Sequence, residues 1–177
     1  MSEFWDSRFA GRDYVYGTEP NAFLAQQQAL FQAGNSALAV ADGEGRNGVW
    51  LAQQGLQVLA VDSSSVGIAK AQQLARARGV SLNTELADLL TWPWPPAQYD
   101  YVVAIFIHFM PTHRERMHQA MLHALKPGGV LIMEAFHPDQ LNYRSGGPPL
   151  REMLYTAEML RADFAGAKIS LMEETTT

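Results

Sequence analysis

The sequence predicts a doubly wound α/β fold, in which a mostly parallel sheet carries helices on both faces. Short apolar runs alternate with helix-length amphipathic segments along nearly the whole chain, which is typical of repeated strand–helix units. Some of these runs, such as residues 102–106, are apolar at every position rather than at every second one. Strands of that kind are buried on both faces, as in parallel sheets. We therefore expect one domain over residues 1–177.

The predicted strands are short apolar runs, each followed by a polar or glycine-rich turn. They cover residues 38–41, 57–61, 81–86, 99–106 and 130–136, with 168–173 as a possible sixth strand. The predicted helices cover residues 47–54, a segment capped by serines 63–65 that runs to residue 78, and then 112–125 and 157–164. Gly55 and Gly79 follow the first two helices, at the position where glycine caps a helix.

The composition argues against several classes of function. The 177 residues include thirteen basic and eighteen acidic side chains, a net charge of −5, and no Lys/Arg run, which argues against a nucleic-acid-binding surface. The sequence has no cysteine, so disulfides, thiol catalysis and cysteine metal sites are excluded. The acidic first residues are unlike a signal peptide, and no apolar run is long enough to span a membrane. We expect a cytoplasmic monomer or homodimer that binds neither nucleic acid nor membrane.

Two segments fall outside the strand–helix alternation. Residues 1–34 include Tyr16 and Gly17 before an amphipathic helix, and residues 137–150 are rich in glycine and proline. Ligands of doubly wound sheets bind beyond the carboxyl ends of the strands. We therefore expect the first segment to cover a bound cofactor and the second to lie on the substrate side.

A glycine-rich loop follows the first strand at residues 43–48, with the pattern G-x-G-x-x-G. Glycine permits a sharp turn and lets a ligand approach the main chain closely. Asp62 ends the next strand, where a carboxylate can accept hydrogen bonds from both ribose hydroxyls. The two features indicate a nucleoside-containing cofactor, either a nicotinamide dinucleotide or S-adenosylmethionine.

Three features favour S-adenosylmethionine. Asp88 ends the third strand and precedes Leu89, so an acid and a backbone N–H are available to an adenine ring. Asp42 and Glu44 lie close to the glycine turn, where they would repel a pyrophosphate but tolerate a sulfonium. The third feature is the turn at residues 125–131, which leads into the fifth strand.

These motifs, taken in order, resemble those of the seven-strand S-adenosylmethionine-dependent methyltransferases, which have a Rossmann-like fold. The matching segments are residues 42–47, 61–62, 87–89 and 125–129. Within them, the Gly-Glu-Gly-Arg-Asn loop and the 16–21 segment resemble the small tellurite-resistance and thiopurine methyltransferase-like group. The resemblance runs from about Trp5 to the C-terminus.

The resemblance implies a cofactor site built from residues at the ends of the strands. Gly43 and Gly45 would pass beneath the methionine and ribose portions, with Asn47 in the same loop, and Asp62 would hold the ribose. The other implied contacts are Ser63, Asp88 and Leu89 for the adenine, Trp5 and Tyr16 as a cover, and Ile105 or Phe106 beside the sulfonium.

The sequence departs from the family pattern at two places. Ala39 and Ala41 stand where the family has an acid and a glycine, and Asp42 is expected to take over the role of the missing carboxylate. The chain also stops at a run of Glu and Thr before an antiparallel seventh strand, so we expect an incomplete C-terminal hairpin. An open sheet edge of this kind is a site for aggregation or dimerisation.

The candidates on the acceptor side follow the fourth and fifth strands. His108 and His137 are candidates for a catalytic base. The other histidines recur every five residues, which is not a contact spacing on a helix, so we expect solvent-facing or capping side chains and no metal site. Phe106, Tyr143 and Arg144 are candidates for substrate contacts, with Arg144 attracting an anion.

The expected reaction is methyl transfer from S-adenosylmethionine to a small molecule. The sulfonium already activates the methyl group, so the protein mainly aligns the reactants and excludes water. A thiol or a chalcogen oxyanion needs little help from a base, which suits a sequence without an evident catalytic dyad. The alternatives are a nicotinamide-dependent oxidoreductase, disfavoured because no Tyr-x-x-x-Lys pair is visible, and a non-catalytic S-adenosylmethionine-binding module.

Overall fold

A parallel sheet of five strands forms the centre of the fold, seen in a computed structural model that describes residues 2–143 and 146–176. The strands are β1 (Ser36–Val40), β2 (Gln57–Asp62), β3 (Asn83–Leu86), β4 (Tyr99–Ile105) and β5 (Leu125–Glu134). Their order across the sheet is β3-β2-β1-β4-β5, and every neighbouring pair is parallel. The α/β class predicted from the sequence is confirmed.

In the described part of the chain, six α-helices accompany the sheet: α1 (Ser2–Phe9), α2 (Ala22–Gln26), α3 (Arg46–Gln53), α4 (Ser65–Arg78), α5 (Pro111–Ala124) and α6 (Ala157–Asp163). Short 3-10 turns add Gln28–Leu30, Pro138–Asn142 and Arg151–Met153. The N-cap of α4 is Ser64, whose hydroxyl accepts the Gly67 N–H, and the helix ends at left-handed Gly79. The boundaries of this helix are therefore set by local capping residues.

The chain reverses its direction across the sheet between β1 and β4. It first builds outward from β1 through β2 to β3, then crosses back to place β4 and β5 on the other side of β1. The helices after β1 and β4 pack on opposite faces, which opens a crevice at the carboxyl ends of these two strands. Open α/β sheets bind their ligands at this place.

Side chains of β1 alternate between two apolar clusters on opposite faces of the sheet. Leu38 and Val40 belong to the cluster that α5 covers. Ala39 belongs to the cluster that contains Leu24 of α2 and Leu51 of α3. All of these side chains are at most 2% exposed. The central strand is thus buried on both faces, as its contiguous apolar sequence indicates.

A charged network joins α5 to α6. Asp163 accepts hydrogen bonds from Nε of Arg114 at 2.7 Å and from its Nη2 at 3.2 Å, and it lies 2.7 Å from Nδ1 of His118. His118 is fully buried, and this burial lowers its pKa, so its neutral ring donates from Nδ1 to the carboxylate. The expectation that His118 faces solvent or caps a helix is therefore wrong.

The sheet differs from the prediction at its ends. Residues 168–173 form no strand, and the described residues contain five strands rather than the seven that the resemblance implies. β5 begins at Leu125 rather than near residue 130, because the turn residues pair with β4 across an irregularity between Tyr99 and Tyr101. Within the described ranges, no helix has the length and apolar composition needed to cross a bilayer.

Candidate active site

The glycine loop lies where β1 ends and α3 begins, at the crevice between β1 and β4. Gly43 and Gly45 have φ of 57° and 88°, in the left-handed region that favours glycine. A Cβ on Gly45 would lie 2.5 Å from the Cβ of Ala71, so this glycine also lets the loop rest against α4. Ala41, where the family pattern has a glycine, adopts a φ of 51°. The backbone turn is therefore kept despite the alanine.

Asp62 fixes the glycine loop to the end of β2. Its Oδ2 accepts the Gly43 N–H and its Oδ1 accepts the Ser64 N–H, both at 2.8 Å. The residue is 8% exposed, and burial raises the pKa of its carboxyl. Each carboxylate oxygen has a second lone pair, so Asp62 can still accept hydrogen bonds from a ribose. The structure thus brings together the glycine loop and the acid after the second strand.

Asp42 faces the start of α3. Both of its carboxyl oxygens lie 3.1 Å from the backbone nitrogen of Gly48. It caps a helix whose N-cap residue, Gly45, has no side chain to do so. Burial raises the pKa of Asp42 to about 7, and the charge of Asp62 contributes to this increase. The role expected for Asp42 toward a cofactor stays a prediction, because its observed contact is with the helix.

Asn21 ties the N-terminal segment, residues 2–34, to α3 and β5. Its backbone N–H donates to Oδ1 of Asn47 at 2.9 Å, and its Nδ2 donates to Oε2 of Glu134 at 2.7 Å. Its own Oδ1 caps α2 by accepting the Leu24 N–H. Asn47 was a predicted site residue, whereas Asn21 and Glu134 were missed. The 16–21 motif was the sequence signal that contained Asn21.

The two predicted covering residues have different surroundings. Trp5 stacks on Phe9 with ring centroids 5.4 Å apart. The Phe9 ring lies against the glycine loop, since a Cβ built on Gly43 would be 3.2 Å from its Cζ. Tyr16 is 48% exposed, with two arginine guanidinium groups near its ring. The N-terminal segment therefore lies on the glycine loop through Phe9, which sequence reasoning missed.

The residues predicted to hold an adenine follow β2 and β3. Asp88 is exposed, its Oδ1 accepts the Leu90 N–H at 2.9 Å, and Oδ2 makes no hydrogen bond within the described residues. Leu89 is 7% exposed because its side chain packs in the core. Ser63 is half-buried between Asp62 and the N-cap of α4. Leu89 can therefore meet a ligand mainly through its main chain.

Aromatic side chains lie at the carboxyl ends of β4 and β5. Phe106 follows Ile105 directly, and both are half-buried. The Phe106 ring stacks on Phe136 with centroids 4.4 Å apart. Phe106 also has a φ of 56°, a strained conformation for a bulky side chain that the surrounding structure must maintain. Strain of this kind clusters at functional sites.

His108 is held by main-chain groups at both ring nitrogens. Nε2 accepts the Phe136 N–H at 3.0 Å, so Nδ1 carries the proton and donates to the Met153 carbonyl at 2.7 Å. Burial lowers the pKa of His108 to about 4. The neutral ring joins the ends of β4 and β5 to residue 153, and in this arrangement it has no nitrogen free for a substrate proton.

The residues predicted on the substrate side are spread over the 137–150 loop, and Arg144 lies outside the described residues. Tyr143 is 63% exposed, and His137 caps the following 3-10 turn by accepting the Asp139 N–H at 3.2 Å. Among the described residues, neither Tyr143 nor His137 makes a hydrogen bond or ion pair with the glycine loop. The described residues contain no group of three His, Asp or Glu side chains placed to hold a metal.

Two surface clefts lie away from the glycine loop. One, of about 260 Å³, is at the amino ends of the strands, near Tyr101. The other, of about 580 Å³, adjoins the 137–150 loop and is lined by Pro138, Leu150, Arg151, Glu152, Leu154, Thr156 and Met159. The glycine loop itself lies against the N-terminal segment, through the Phe9 ring and the Val15 N–H.

Comparison with known proteins identifies the family. The methyltransferase domain family matches residues 37–129, which is more than half of the chain. Glycine/sarcosine N-methyltransferase from Halorhodospira halochloris is 31% identical over 147 residues, which cover 78% of this chain and 48% of that protein. The chain therefore spans about half the length of this curated relative.

Solved structures share the fold at lower identity. One, from work on the conversion of a disulfide bond into a thioacetal group during echinomycin biosynthesis, has a TM-score of 0.75 at 21% identity, over 94% of this chain and 78% of that chain. Another is magnesium protoporphyrin IX methyltransferase from Synechocystis PCC 6803 with bound SAH, with a TM-score of 0.66 at 18% identity, over 93% and 85% of the two chains. The family match spans the glycine loop, Asp62 and Asp88. This chain belongs to the methyltransferase domain family.

Proposed function

We propose that this chain binds S-adenosylmethionine at the carboxyl ends of β1, β2 and β4 and transfers its methyl group to a small molecule. The hydrogen bond from the Gly43 N–H to Asp62 carries the proposal, because it joins the glycine loop to the acid of β2 beside the crevice. The family match covers both residues, which supports the reaction class.

The charges around the glycine loop favour a cationic sulfonium over a pyrophosphate. Asp42 and Asp62 lie at the loop, and two cations, Lys70 and Arg46, lie near it. Lys70 lies 2.5 Å from Glu44, and Arg46 donates to a main-chain carbonyl. A pyrophosphate would therefore face the carboxyl groups of Asp42 and Asp62 against one nearby cation, Arg46, that has no acidic partner among the described residues. The same carboxyl groups disfavour a nicotinamide dinucleotide, and with it a nicotinamide-dependent oxidoreductase.

Each residue at the edge of the sheet has a proposed role in holding the cofactor. Asp62 accepts hydrogen bonds from the ribose, while Gly43 and Gly45 let the cofactor approach the main chain. The adenine side consists of Ser63, Asp88 and the main chain of Leu89, and the remaining contacts come from Asp42, Asn47, Trp5, Tyr16 and Ile105. Within a single domain, residues 1–34 form the cover and residues 137–150 the substrate side.

The bound cofactor supplies a methyl group that its sulfonium has already activated. The residues of the chain then orient the acceptor in line with the methyl group and exclude water from it. Phe106 and Phe136 form an apolar wall at the end of β4, next to the proposed methyl position. Because both nitrogens of His108 are engaged, we infer an acceptor that reacts without a base from this residue.

Several small acceptors meet this requirement. Thiols and the oxyanions of selenium and tellurium need little help from a general base. A neutral amine also attacks without prior loss of a proton, and the similarity to a glycine/sarcosine N-methyltransferase supports the inclusion of small amines. Tyr143 and Arg144 remain proposed substrate contacts.

Calorimetry with S-adenosylhomocysteine tests the cofactor, with NADH titrated in parallel. We expect micromolar binding of S-adenosylhomocysteine and no binding of NADH. Folded protein that binds NADH, or neither ligand, would contradict the proposal. Formation of S-adenosylhomocysteine from S-adenosylmethionine is then followed with thiols, selenite, tellurite, glycine and sarcosine. Binding without turnover on any of these acceptors would favour a non-catalytic binding module.

A further inference from the structure

The ammonium group of Lys70, on α4, is surrounded by main-chain carbonyls of the N-terminal segment. It donates hydrogen bonds to the carbonyl oxygens of Phe9 at 3.2 Å, Gly11 at 3.0 Å and Asp13 at 2.7 Å. It also lies 2.5 Å from Oε1 of Glu44, in the glycine loop. The side chains of Lys70 and Glu44 are only 11% and 3% exposed, so this ion pair is largely removed from solvent.

Glu44 attaches the N-terminal segment to the glycine loop. Its second oxygen, Oε2, accepts the Val15 N–H at 2.7 Å. Main-chain groups of residues 9, 11, 13 and 15 are therefore fixed to one ion pair, through alternate positions of the chain. Phe9 is the last residue of α1 and no helix or strand covers residues 10–21, so these carbonyls obtain their hydrogen bonds from Lys70 rather than from regular structure.

An aromatic layer lies next to the ion pair. Glu44 stands between Gly43 and Gly45, and the Phe9 ring rests against Gly43 with Trp5 stacked on it. The glycine loop and these rings are thus held in one position relative to each other. Removal of one partner from a largely buried ion pair destabilises the folded protein, because the remaining buried charge is left uncompensated.

We propose that Glu44 and Lys70 form a clamp that positions the N-terminal segment over the glycine loop and thereby sets the affinity for the cofactor. Both are positioning residues, because they act through the segment and the loop rather than by touching the reacting atoms. The effect on affinity rests on the proposed function, whereas the attachment of the segment can be tested without a cofactor.

Two variants remove one charge each, Glu44→Gln and Lys70→Met. Glu44→Gln keeps the shape of the side chain and an oxygen for the Val15 N–H, so it is the variant expected to disturb folding least. In the absence of cofactor, we expect trypsin to cleave after Arg8 and Arg12 about tenfold faster in both variants than in the wild type. Thermal melting followed by circular dichroism confirms that each variant is folded.

The same variants test the affinity. We expect each to bind S-adenosylhomocysteine about tenfold more weakly by calorimetry. In turnover assays, KM for S-adenosylmethionine should rise while kcat at saturating cofactor stays near the wild-type value. Lys70→Arg retains the charge and several donors, but its planar guanidinium is larger than the ammonium, so we expect its trypsin protection and its affinity to lie between those of Lys70→Met and the wild type.

Arg78→Gln is the matched control. Arg78 also bonds to the N-terminal segment, through Glu19 at 2.7 Å, but the two side chains are 35% and 78% exposed, so its loss should leave cleavage and affinity unchanged.

Cleavage of folded Glu44→Gln and Lys70→Met at the wild-type rate would overturn the clamp. Faster cleavage with unchanged affinity would overturn its role in binding. A wild type that does not bind S-adenosylhomocysteine would overturn the proposed function, whereas the trypsin comparison would still decide whether the clamp exists.

Discussion

Asp62 is the single side chain on which the proposed cofactor site depends most. In the wild type, the N–H groups of Gly43 and Ser64 each donate to a different oxygen of Asp62. Replacement by Asn removes the charge and leaves one oxygen for both N–H groups. Hydrogen bonds to charged groups contribute about 1.5–3 kcal/mol. We therefore expect Asp62→Asn to bind S-adenosylhomocysteine about tenfold to a hundredfold more weakly by calorimetry.

Asp100→Asn is the matched control for this measurement. Asp100 likewise accepts a backbone N–H, that of Ser36 at 2.8 Å, and pairs with Lys126 at 2.8 Å, but it lies at the opposite end of the sheet. Its replacement should lower the melting temperature without changing the affinity. If Asp62→Asn bound as tightly as the wild type, Asp62 would not hold the cofactor.

The buried carboxyl of Asp42 predicts a pH-dependent stability. Its pKa is about 7 in the folded protein, against a usual value of 3.8. Between these values the folded state binds more protons than the unfolded state, so the free energy of unfolding falls as the pH rises from about 4 to about 7, by at most about 4 kcal/mol. Asp42→Asn keeps an acceptor for the Gly48 N–H but cannot ionise.

Melting temperatures across the pH range test this assignment. Relative to the wild type, Asp42→Asn should gain stability steadily between about pH 4 and about pH 7, and the difference should then level off. A difference in melting temperature that is the same at every pH would show that Asp42 does not titrate in this window.

Local sequence identifies some site residues and not others. Gly43, Gly45 and Asp62 can be predicted, because a tight turn after one strand and an acid after the next are local patterns. The sequence also places Glu44 beside the turn, but the charge of Glu44 alone does not indicate its partner. Only the packing of α4 against the loop brings Lys70 to it.

Among the elements, the contact of the glycine loop with α4 depends on the absence of a side chain at Gly45. Its φ is 88°, and a Cβ would lie 2.5 Å from the Cβ of Ala71 and 2.7 Å from its Cα. Gly79 has a φ of 68° but open space around the position of a Cβ. Both Ala variants carry the cost of the left-handed backbone, about 1–2 kcal/mol, and only Gly45→Ala adds a clash.

Urea denaturation separates the cost of the left-handed backbone from the cost of the clash with Ala71. We expect Gly45→Ala to lower the free energy of unfolding by about 1–3 kcal/mol more than Gly79→Ala does, because the loop and α4 must separate to admit the methyl group. Equal losses would mean that the close approach of the loop to α4 does not contribute to stability.

Helices could be predicted where their caps are local. The predicted helix that runs to residue 78 between serines and Gly79 is confirmed, since Ser64 and Gly79 cap α4. In the N-terminal segment, α2 agrees with the predicted amphipathic helix and is capped locally by Asn21, whereas α1 was not predicted and its position follows from the contacts of Asp6 with the start of α4. Those contacts leave no periodic pattern in the sequence.

Over the whole molecule, the sequence predicts the central strands of the parallel sheet better than the strands at its edge. The buried central strands have contiguous apolar sequences, which indicate strands covered on both faces. In the 168–173 segment, Ile169 and Leu171 alternate with polar residues, yet they are 39% and 50% exposed and form no strand. Alternation alone therefore did not suffice, because a strand also needs a partner along its edge.

Topology also explains why the candidate site was partly predictable. Parallel strands place their carboxyl ends on one edge, so polar residues after β1, β2 and β3 come together whatever the details of packing. The cover over that edge could not be derived in the same way. It depends on Asp6, whose carboxylate accepts the Val66 N–H and the Ser64 hydroxyl at the start of α4, and on Asn21.

The most direct test of the proposed site is an NMR titration of isotope-labelled protein with S-adenosylhomocysteine. The largest changes in amide chemical shift should occur at Gly43, Ser63 and Leu89, at the carboxyl ends of β1, β2 and β3, with little change at Gln32 and Val130. Changes confined to the opposite end of the sheet, or to the 580 Å³ cleft beside Leu154, would contradict the proposed location of the cofactor.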